Sequence, residues 1–169
     1  RLLMKPFFSL AGLSCLFMCF FCQSSAMAEE MALYDFADGA GGWEVEDDVV
    51  MGGKSRGQFA VSHDGVGIFS GDVSLENNGG FSSVQYNFDP LDVSGHRSFC
   101  LRVRGDGRNC RFIIEGEPGT RHYYAAEFST SGDWESVEIP FGSLKPTWRG
   151  GRLDLPVFPG KTLTQLRFM

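Results

Sequence analysis

Residues 47–57 read DDVVMGGKSRG and contain the stretch that comes closest to a phosphate-binding loop. Such a loop needs Gly-x-x-x-x-Gly-Lys-Ser/Thr between a strand and a helix, so that backbone N–H groups face the phosphates. Gly-Lys-Ser at 53–55 supplies the end of the pattern, but Asp48 stands where the first glycine belongs. Asp47 and Asp48 would repel a phosphate, and the RGQFAVSH that follows alternates like a strand. We therefore exclude a nucleotide site.

The doubled glycine at 52–53 then needs another explanation. Met51 before it suggests a large apolar side chain that points inward while the backbone turns with positive φ. Asp48 is placed to accept hydrogen bonds from exposed turn amides. The pattern favours a tight corner between two strands, and it leaves open a loop that faces a ligand or a partner.

Residues 29–169 carry no recognisable catalytic motif. They contain no Gly-x-Ser-x-Gly elbow, no His-Glu-x-x-His and no Cys-x-x-Cys. The three histidines are far apart in sequence, and no spacing of acidic residues requires a metal or selects a glycosidase pair. The sequence therefore predicts a protein that is not an enzyme and has neither cofactor nor metal.

The chain begins with the pattern of a bacterial secretory signal peptide. Lys5 gives a short basic start, residues 7–22 are almost all apolar, and residues 26–28 read Ala-Met-Ala, a cleavage signal. The apolar run is shorter than the roughly 20 residues that a membrane-spanning helix needs. We predict a signal peptide over residues 1–28, export to the periplasm or the extracellular space, and no membrane span after cleavage. Residues 1–3 precede a plausible initiator and are predicted not to be native.

Residues 29–169 carry a net negative charge. Cleavage removes Arg1 and Lys5, which leaves 13 basic and 21 acidic side chains and a net charge near −8. That balance disfavours nucleic acid and anionic membranes as partners, because both attract clustered Lys and Arg. About 140 residues are enough for a single domain with one core.

Short alternating apolar runs indicate an all-β domain. The predicted strands lie at 57–63, 66–75, 81–88, 98–104, 110–115, 122–128 and 134–139. Turn residues such as HDG, ENNGG and TSGD separate them, and the only helical signal is a possible single turn near 141–145. Many short strands at this spacing predict a β-sandwich or a barrel.

Residues 98–115 contain Asp-Gly at 106–107 between two alternating runs, which is a strong hairpin signal. A two-residue loop would pair the apolar residues of one run with those of the other. In that register Cys100 and Cys110 lie on opposite faces and too far apart for a disulfide. We therefore predict a hairpin with two free, mostly buried thiols.

The other face of that hairpin would carry Arg102, Arg104 and Arg111. Like charges facing each other need an anion between them or nearby carboxylates. The carboxylates of an adjacent strand, such as Glu127 or Glu115, are one explanation. An anionic ligand or an acidic partner surface is the other.

Five motifs, in order, resemble the complex I intermediate-associated protein (30 kDa) family. They cover about residues 33–169 and read WEVEDDVVMGGKSRGQF, FSGDVSLENNGGFSSVQYNF, LRVRGDGRNCRF, WESVEIPFGSLKPTWRG and LTQLRFM. The family signature Trp-x-x-x-Asn-Asp-x-Val-Met-Gly-Gly-x-Ser maps onto Trp43 to Ser55, with Asp47 in place of the family's Asn. The pattern Gly-x-Val-Ser-Leu-Glu-Asn-Asn-Gly-Gly-Phe matches from Gly71 to Phe81.

The resemblance implies a galactose-binding-like jelly-roll β-sandwich over residues 29–169. The family continues beyond the equivalent of Met169 with a further strand, so the chain is predicted to be truncated there. Eukaryotic members are chaperones that assist assembly of respiratory complex I. The resemblance therefore implies a non-enzymatic, protein-binding assembly factor whose partner could be a subunit of a membrane respiratory complex.

The same motifs supply the candidate partner- or ligand-binding residues, for which a purely structural role is the alternative. They are Asp48, Met51, Gly52, Gly53, Ser55, Asn77, Asn78, Arg104, Asp106, Trp148 and Arg149. We expect a surface that combines the corner at 51–55, the turn at 76–80 and the loop at 149–150. If that surface forms, Arg149 could pair with Asp48.

The alternative function is a carbohydrate-binding module of an exported protein, with a glycan as ligand. Such modules use exposed aromatic platforms and a few polar groups. Trp43 and Trp134 begin strands and are more typical of core anchors. Trp148, in KPTWRGGR, is the best candidate for an exposed ring, with Tyr123 and Tyr124 as further candidates.

Overall fold

A computed structural model describes residues 2–4, 31–36 and 39–169 of the chain. Twelve strands are present in this part: β1 Leu2–Met4, β2 Trp43–Asp47, β3 Arg56–Val61, β4 Gly67–Asp72, β5 Ser82–Asp92, β6 Ser98–Arg104, β7 Asn109–Glu115, β8 Tyr123–Ser129, β9 Glu135–Pro140, β10 Lys145–Trp148, β11 Gly151–Arg152 and β12 Thr162–Phe168. Short 3-10 turns span Asp48–Met51, Glu76–Asn78 and Phe141–Ser143. Most of the predicted signal peptide and its cleavage site lie outside the described residues.

The strands form two sheets in which every pairing is antiparallel. One sheet has the order β3-β4-β1-β6-β9, and the other has the order β11-β10-β8-β7-β12-β5-β2. Alternate residues of both sheets point to a shared core, as expected for strands half-buried in a sandwich. Val84, Phe112 and Leu163 are fully buried there. Of the sandwich or barrel predicted from the alternating runs, the structure is the sandwich, as the resemblance implied. Each of the seven predicted strands corresponds to an observed strand.

Aromatic rings fill much of the space between the sheets. Trp43 stacks on Phe59 at 5.2 Å between ring centroids, and Phe99 meets Phe112 across the sandwich, also at 5.2 Å. Trp43 is therefore a core anchor rather than an exposed platform. The predicted helical turn after Pro140 is present as the 3-10 turn Phe141–Ser143.

The predicted hairpin at 98–115 is wrong. β6 pairs with β9 in one sheet, whereas β7 pairs with β8 and β12 in the other. The Asp-Gly loop is an arch between sheets, so the apolar residues of the two strands face each other across the core. Alternation is the same for an arch and for a hairpin, because both bury one face of each strand.

Thr130 shows how the arch is held. Its hydroxyl accepts the N–H of Gly107 at 3.1 Å and donates to the carbonyl of Arg108 at 2.8 Å. The Thr130 side chain also fills the space beside Gly105, where a Cβ would overlap it. The loop is therefore fastened to the end of β8 instead of closing a two-stranded ribbon.

Cys100 and Cys110 form no disulfide with each other, as predicted, but the prediction that both are mostly buried is wrong for Cys100. Cys100 is exposed on the outer face of β6, and Cys110 is half-buried. Burial raises the pKa of the Cys110 thiol, and the charge of Asp106 adds to the effect.

Among the described residues, no helix has both the length and the apolar character needed to cross a membrane.

β1 is short, and its three residues lie between β4 and β6 in the middle of the five-stranded sheet. Leu2 and Met4 belong to the core. β1 lies within the predicted signal peptide of residues 1–28.

The role of Thr130 is testable. Thr130→Val keeps the shape of the side chain but removes both hydrogen bonds to the arch, which should cost about 1–3 kcal/mol of unfolding free energy. Urea unfolding followed by tryptophan fluorescence measures the loss. Ser129→Ala, at the exposed neighbouring position, is the control and should change the unfolding free energy little. Equal losses of unfolding free energy in both variants would contradict the role given to the Thr130 hydroxyl.

Candidate functional site

The corner after β2 is built around a buried carboxylate. Asp48 has no exposed surface, and its oxygens accept hydrogen bonds from the N–H of Ser55 at 2.9 Å and the Ser55 hydroxyl at 2.6 Å. The N–H groups of Gly80 and Phe81 donate to it at 2.6 and 3.2 Å. One side chain therefore joins three segments that are up to 33 residues apart in sequence.

These donors favour the charged form of Asp48. They lower its pKa from 3.8 to about 2, and the hydrogen bond from the Ser55 hydroxyl is the largest cause. Burial acts in the opposite direction, while the N–H groups of Gly80, Ser55 and Phe81 add to the lowering. A carboxylate that is enclosed and saturated with donors cannot act as a base toward a substrate. Its role is to hold the corner together.

Ser55 and Asn77 fasten a second loop to the corner. The Ser55 hydroxyl, which is fully buried, accepts the N–H of Ser74 at 3.0 Å. The side-chain amide of Asn77 donates to the carbonyl of Gly52 at 3.2 Å, and Lys54 forms an ion pair with Glu76 on the surface. The loops 49–54 and 73–77 therefore adjoin and support each other.

The two glycines of the corner have different roles. Gly52 has φ of +91° and caps the 3-10 turn by donating its N–H to Val49 at 2.9 Å. Gly53 has an ordinary φ, but a Cβ on it would overlap the Asp48 carboxylate. The predicted positive φ is confirmed at Gly52. At Gly53, glycine is needed for the close approach of the backbone to the carboxylate.

Asp47, which departs from the Asn of the resembled signature, also has a structural contact. Its carboxylate accepts the N–H of Gly57 at 3.0 Å. An Asn side chain offers an acceptor oxygen of the same kind, so the exchange preserves this hydrogen bond.

The outer side of the corner is apolar. Met51 is 64% exposed and does not point inward as predicted, because Asp48 and Ser55 occupy the interior of the turn. Val50 is 76% exposed and Leu75, on the adjoining loop, is 82% exposed. We call the exposed residues Val49, Val50, Met51, Val73 and Leu75 the apolar corner.

Of these five residues, the sequence analysis identified only Met51 as a candidate binding residue. The signal was present in the run Val-Val-Met, because three apolar residues directly before two glycines cannot all face the core of a tight turn. Leu75 and Val73 belong to a predicted strand that ends earlier than expected, at Asp72. Both were therefore interpreted as strand residues.

Trp148 and Arg149 do not join this surface. They lie at the β10–β11 edge of the seven-stranded sheet, whereas β2, which leads into the corner, forms the opposite edge. Arg149 lies over the Trp148 ring at 5.6 Å from the centroid. The expected surface is therefore confirmed for the segments at 51–55 and 76–80 and is wrong for the loop at 149–150. Asp48 has Ser55 and backbone amides as partners, not Arg149.

The remaining candidates have separate surroundings. Arg104 lies over the ring of Trp134 at 5.4 Å, and Asp106 pairs with Arg108 at 3.5 Å in the arch. The backbone of Asn78 lies in the turn Glu76–Asn78, and its side chain is outside the described part of the structure.

The predicted grouping of Arg102, Arg104 and Arg111 on one face is wrong, because β6 and β7 belong to different sheets. Arg111 pairs with Glu127 of the neighbouring strand at 2.7 Å. The explanation by carboxylates of an adjacent strand is therefore confirmed for Arg111. Arg102 and Arg104 lie on the other sheet, where both guanidinium groups are within 6 Å of the Trp134 ring.

The candidate site consists of the apolar corner and the buried network beneath it. Within residues 2–4, 31–36 and 39–169, no group of three or more His, Cys, Asp or Glu side chains could hold a metal ion. The Asp48 carboxylate, whose pKa is lowered, is inaccessible to solvent. The corner instead offers a rigid apolar surface.

Comparison of the sequence with known families gives a match to complex I intermediate-associated protein 30 over residues 34–169. The chain belongs to this family. The predicted family is thereby confirmed over nearly the whole described domain. A comparison with curated protein sequences gave no match.

Solved structures with a similar fold include the family 11 carbohydrate-binding module of Clostridium thermocellum in complex with a β-1,3-1,4-mixed-linked tetrasaccharide. It has 17% sequence identity and a TM-score of 0.58, over 80% of this chain and 83% of that chain. The family 11 module of the cellulosomal cellulase Lic26A-Cel5E from the same organism has the same identity and TM-score, over 80% and 81% of the chains. At this identity the likeness shows the jelly-roll fold alone.

The Asp48 network predicts a specific dependence on pH. The folded pKa of about 2 lies below the ordinary 3.8, so the stabilisation is complete above pH 3.8 and is lost as pH falls through 2. Asp48→Asn should lower Tm at pH 7 by roughly 10 °C, because an amide cannot replace a carboxylate among four donors. The difference in Tm between the two proteins should then shrink as pH falls from about 4 to 2.

Asp72→Asn serves as the control, because Asp72 is an exposed carboxylate at the end of β4. Differential scanning calorimetry across pH gives both curves. If wild type and Asp48→Asn differ by a constant amount at every pH, the ionised form of Asp48 is not what holds the corner.

Proposed function

We propose that this domain is a non-enzymatic binding domain that docks a protein partner through the apolar corner. The main observation behind this proposal is that Val50, Met51 and Leu75 are exposed, on loops held in place by the buried hydrogen bonds of Asp48 and Ser55. Large contiguous apolar patches on the surface of soluble proteins mark interaction sites, and the adjoining loops of the corner bring several apolar side chains to one surface. A surface loop whose only role was to turn would carry polar residues at these positions.

The energetics favour a protein surface as the ligand. Burying one Val, Leu or Met side chain contributes about 1.5–3 kcal/mol, so a few such residues can anchor an interface. The hydrogen bonds from Ser55 and Asn77 fix both loops before binding, which reduces the cost of ordering them. Lys54 and Glu76 neutralise each other beside the corner. The matching partner surface is thus an apolar groove without strong charge.

The family name supports an assembly role around a respiratory membrane complex. The predicted signal peptide would deliver the domain to the periplasm or the extracellular space. A partner among the subunits of such a complex would then be met on its outer side. The net acidity of residues 29–169 is consistent with a protein partner and disfavours nucleic acid.

The corner can be tested by placing charges on it. Val50→Asp combined with Leu75→Asp should reduce recovery of respiratory complex subunits from solubilised membranes at least about tenfold, because two anchors are lost. Affinity capture with the tagged chain and quantitative mass spectrometry measures this. Leu155→Asp, at an exposed leucine outside the corner, is the matched control.

All three proteins should have the same Tm, since none of the substituted residues is in the core. Equal recovery by the double variant and the Leu155→Asp control would exclude the corner as the docking surface. Recovery of no respiratory subunit by the wild-type chain would remove the assembly role.

A second candidate function, glycan binding, has its own supporting observation. Trp148 is 43% exposed at a sheet edge, and the hydroxyl of Tyr123 accepts the N–H of Gly150 beside it at 3.2 Å. An exposed indole with nearby polar groups is a suitable platform for a sugar ring. The Arg149 guanidinium lies over that indole, so a sugar would have to displace it or stack on the free face.

A glycan array followed by calorimetry tests this candidate. If the domain binds a glycan through this edge, Trp148→Ala should weaken binding at least about tenfold, whereas Leu155→Ala should not. An array without hits for the wild-type chain, or full binding by Trp148→Ala, would eliminate the glycan function.

A further inference from the structure

A small, partly enclosed cavity lies at one end of the seven-stranded sheet. Its volume is about 170 Å³, and it lies between the loop that joins β7 to β8 and the segment that leads into β12. β7 ends where β8 and β12 begin, because neighbouring strands of this sheet are antiparallel. An engineered cavity of ~150 Å³ is large enough to bind benzene. The cavity therefore suits a ligand with few atoms.

Two aromatic rings form the inner wall of the cavity. Tyr124 and Phe158 meet edge to face at 5.3 Å between ring centroids, and Phe158 is buried. Gly116 keeps the space beside these rings open, since a Cβ on it would lie 3.5 Å from the Phe158 ring and 3.7 Å from the Tyr124 ring. Gly116 is not among the residues with positive φ. A side chain at this position would thus fill the cavity without straining the backbone.

The polar side chains of the wall bind one another or the backbone. The hydroxyl of Thr120 donates to the carbonyl of Glu117 at 3.0 Å. Nε2 of His122 and the hydroxyl of Tyr124 share a hydrogen bond at 3.1 Å. An anionic ligand would need positive charge, and none of the described residues that line the cavity is a lysine or an arginine. The wall is therefore not suited to an anion.

The Glu117 carboxylate gives the cavity a negative charge. Burial raises the pKa of the Tyr124 phenol, and the charge of Glu117 adds to the effect. The field of this exposed carboxylate thus reaches the inner wall. Aromatic rings also carry negative charge on their faces. Rings and carboxylate together attract a cation, and an ammonium group is the cation that aromatic walls bind best.

We propose that this cavity binds the ammonium head of a small organic cation. The rings of Tyr124 and Phe158 contact the head, and the Glu117 carboxylate balances its charge at the rim. Such a head belongs either to a free methylated amine or to a lysine side chain, and both share this chemistry. A hexose has about twice as many non-hydrogen atoms as benzene and is too large to be enclosed here.

The cavity is separate from both surfaces discussed under the proposed function. The apolar corner follows β2, at the far edge of the sheet from β8 and β10. Tyr123, beside Trp148, points to the opposite face of β8 from Tyr124, because side chains alternate along a strand. Binding of a cation here therefore depends on neither the docking of a protein nor a glycan at the Trp148 edge.

Titration of the isotopically labelled full-length chain, followed by nuclear magnetic resonance, tests the proposal. The probes are choline, N-acetyl-lysine N-methylamide, glucose and the neutral isostere of choline in which a carbon replaces the nitrogen. Choline or the lysine derivative should bind with Kd of about 1–10 mM, as expected for so small a ligand, and move the amide signals of residues 116–124 and 158–162. The neutral isostere should bind at least about fivefold more weakly than choline.

Two variants examine the wall itself. Glu117→Gln keeps the shape of the side chain but removes its charge, and should weaken choline binding about two- to fivefold. Glu44→Gln, at an exposed carboxylate on β2, is the control and should bind choline like the wild type. Gly116→Val should fill the cavity and abolish binding, whereas Gly41→Val, where a Cβ has no neighbour, should not. If Gly116→Val does not fold, Glu117→Gln and the neutral isostere decide the matter.

Binding of either ammonium compound supports the site, and the one that binds more tightly identifies the source of the head. Equal affinity for choline and its neutral isostere would overturn the proposal, because the cavity would then be merely apolar. Glucose that moves the signals of the cavity where choline does not would make it a sugar site instead. The absence of any movement at residues 116–124 and 158–162 with every probe would also overturn it, and so would unchanged choline affinity in Glu117→Gln.

Discussion

The buried carboxylate of Asp48 is the interaction on which the candidate site depends. It accepts hydrogen bonds from Ser55, Gly80 and Phe81, and so fixes the entry to β3 and the start of β5 relative to the end of β2. A buried charge is costly unless donors satisfy it, and here the donors are the Ser55 hydroxyl and the backbone N–H groups of Ser55, Gly80 and Phe81. The donors therefore stabilise the buried carboxylate, and the carboxylate gives these turn groups a hydrogen-bond acceptor.

This solution also determines what the corner presents to solvent. Because Asp48 and Ser55 fill the inside of the turn, the apolar residues that follow Asp48 have no interior space and must point outward. The close approach of Gly53 to the carboxylate tightens the turn further. Exposure of Val50 and Met51 is thus a consequence of the network, and the same network keeps their positions fixed.

Much of the sandwich could be predicted from the sequence, since strand alternation and turn residues are local signals. The acceptor role of Asp48 and the turn of Gly52 followed from local chemistry in the same way. The arch at 105–108 could not be distinguished from a hairpin, because Phe99 and Phe112 are buried in either arrangement. The position of Arg149 depends on the order of strands across a whole sheet, which no local pattern encodes. Met51 was misplaced because the turn interior was taken as free, although Asp48 fills it.

The family signature gains meaning from the burial of its residues in this chain. A structural role explains Asp48, Gly53 and Ser55, which are buried and hold the corner together. It does not explain Val50 and Met51, which belong to the same signature and yet are largely exposed. A signature required only for folding would need no large apolar residues on the outer side of a turn. Their exposure is the observation on which the proposed docking of a partner rests, and the jelly-roll fold is the scaffold that holds them there.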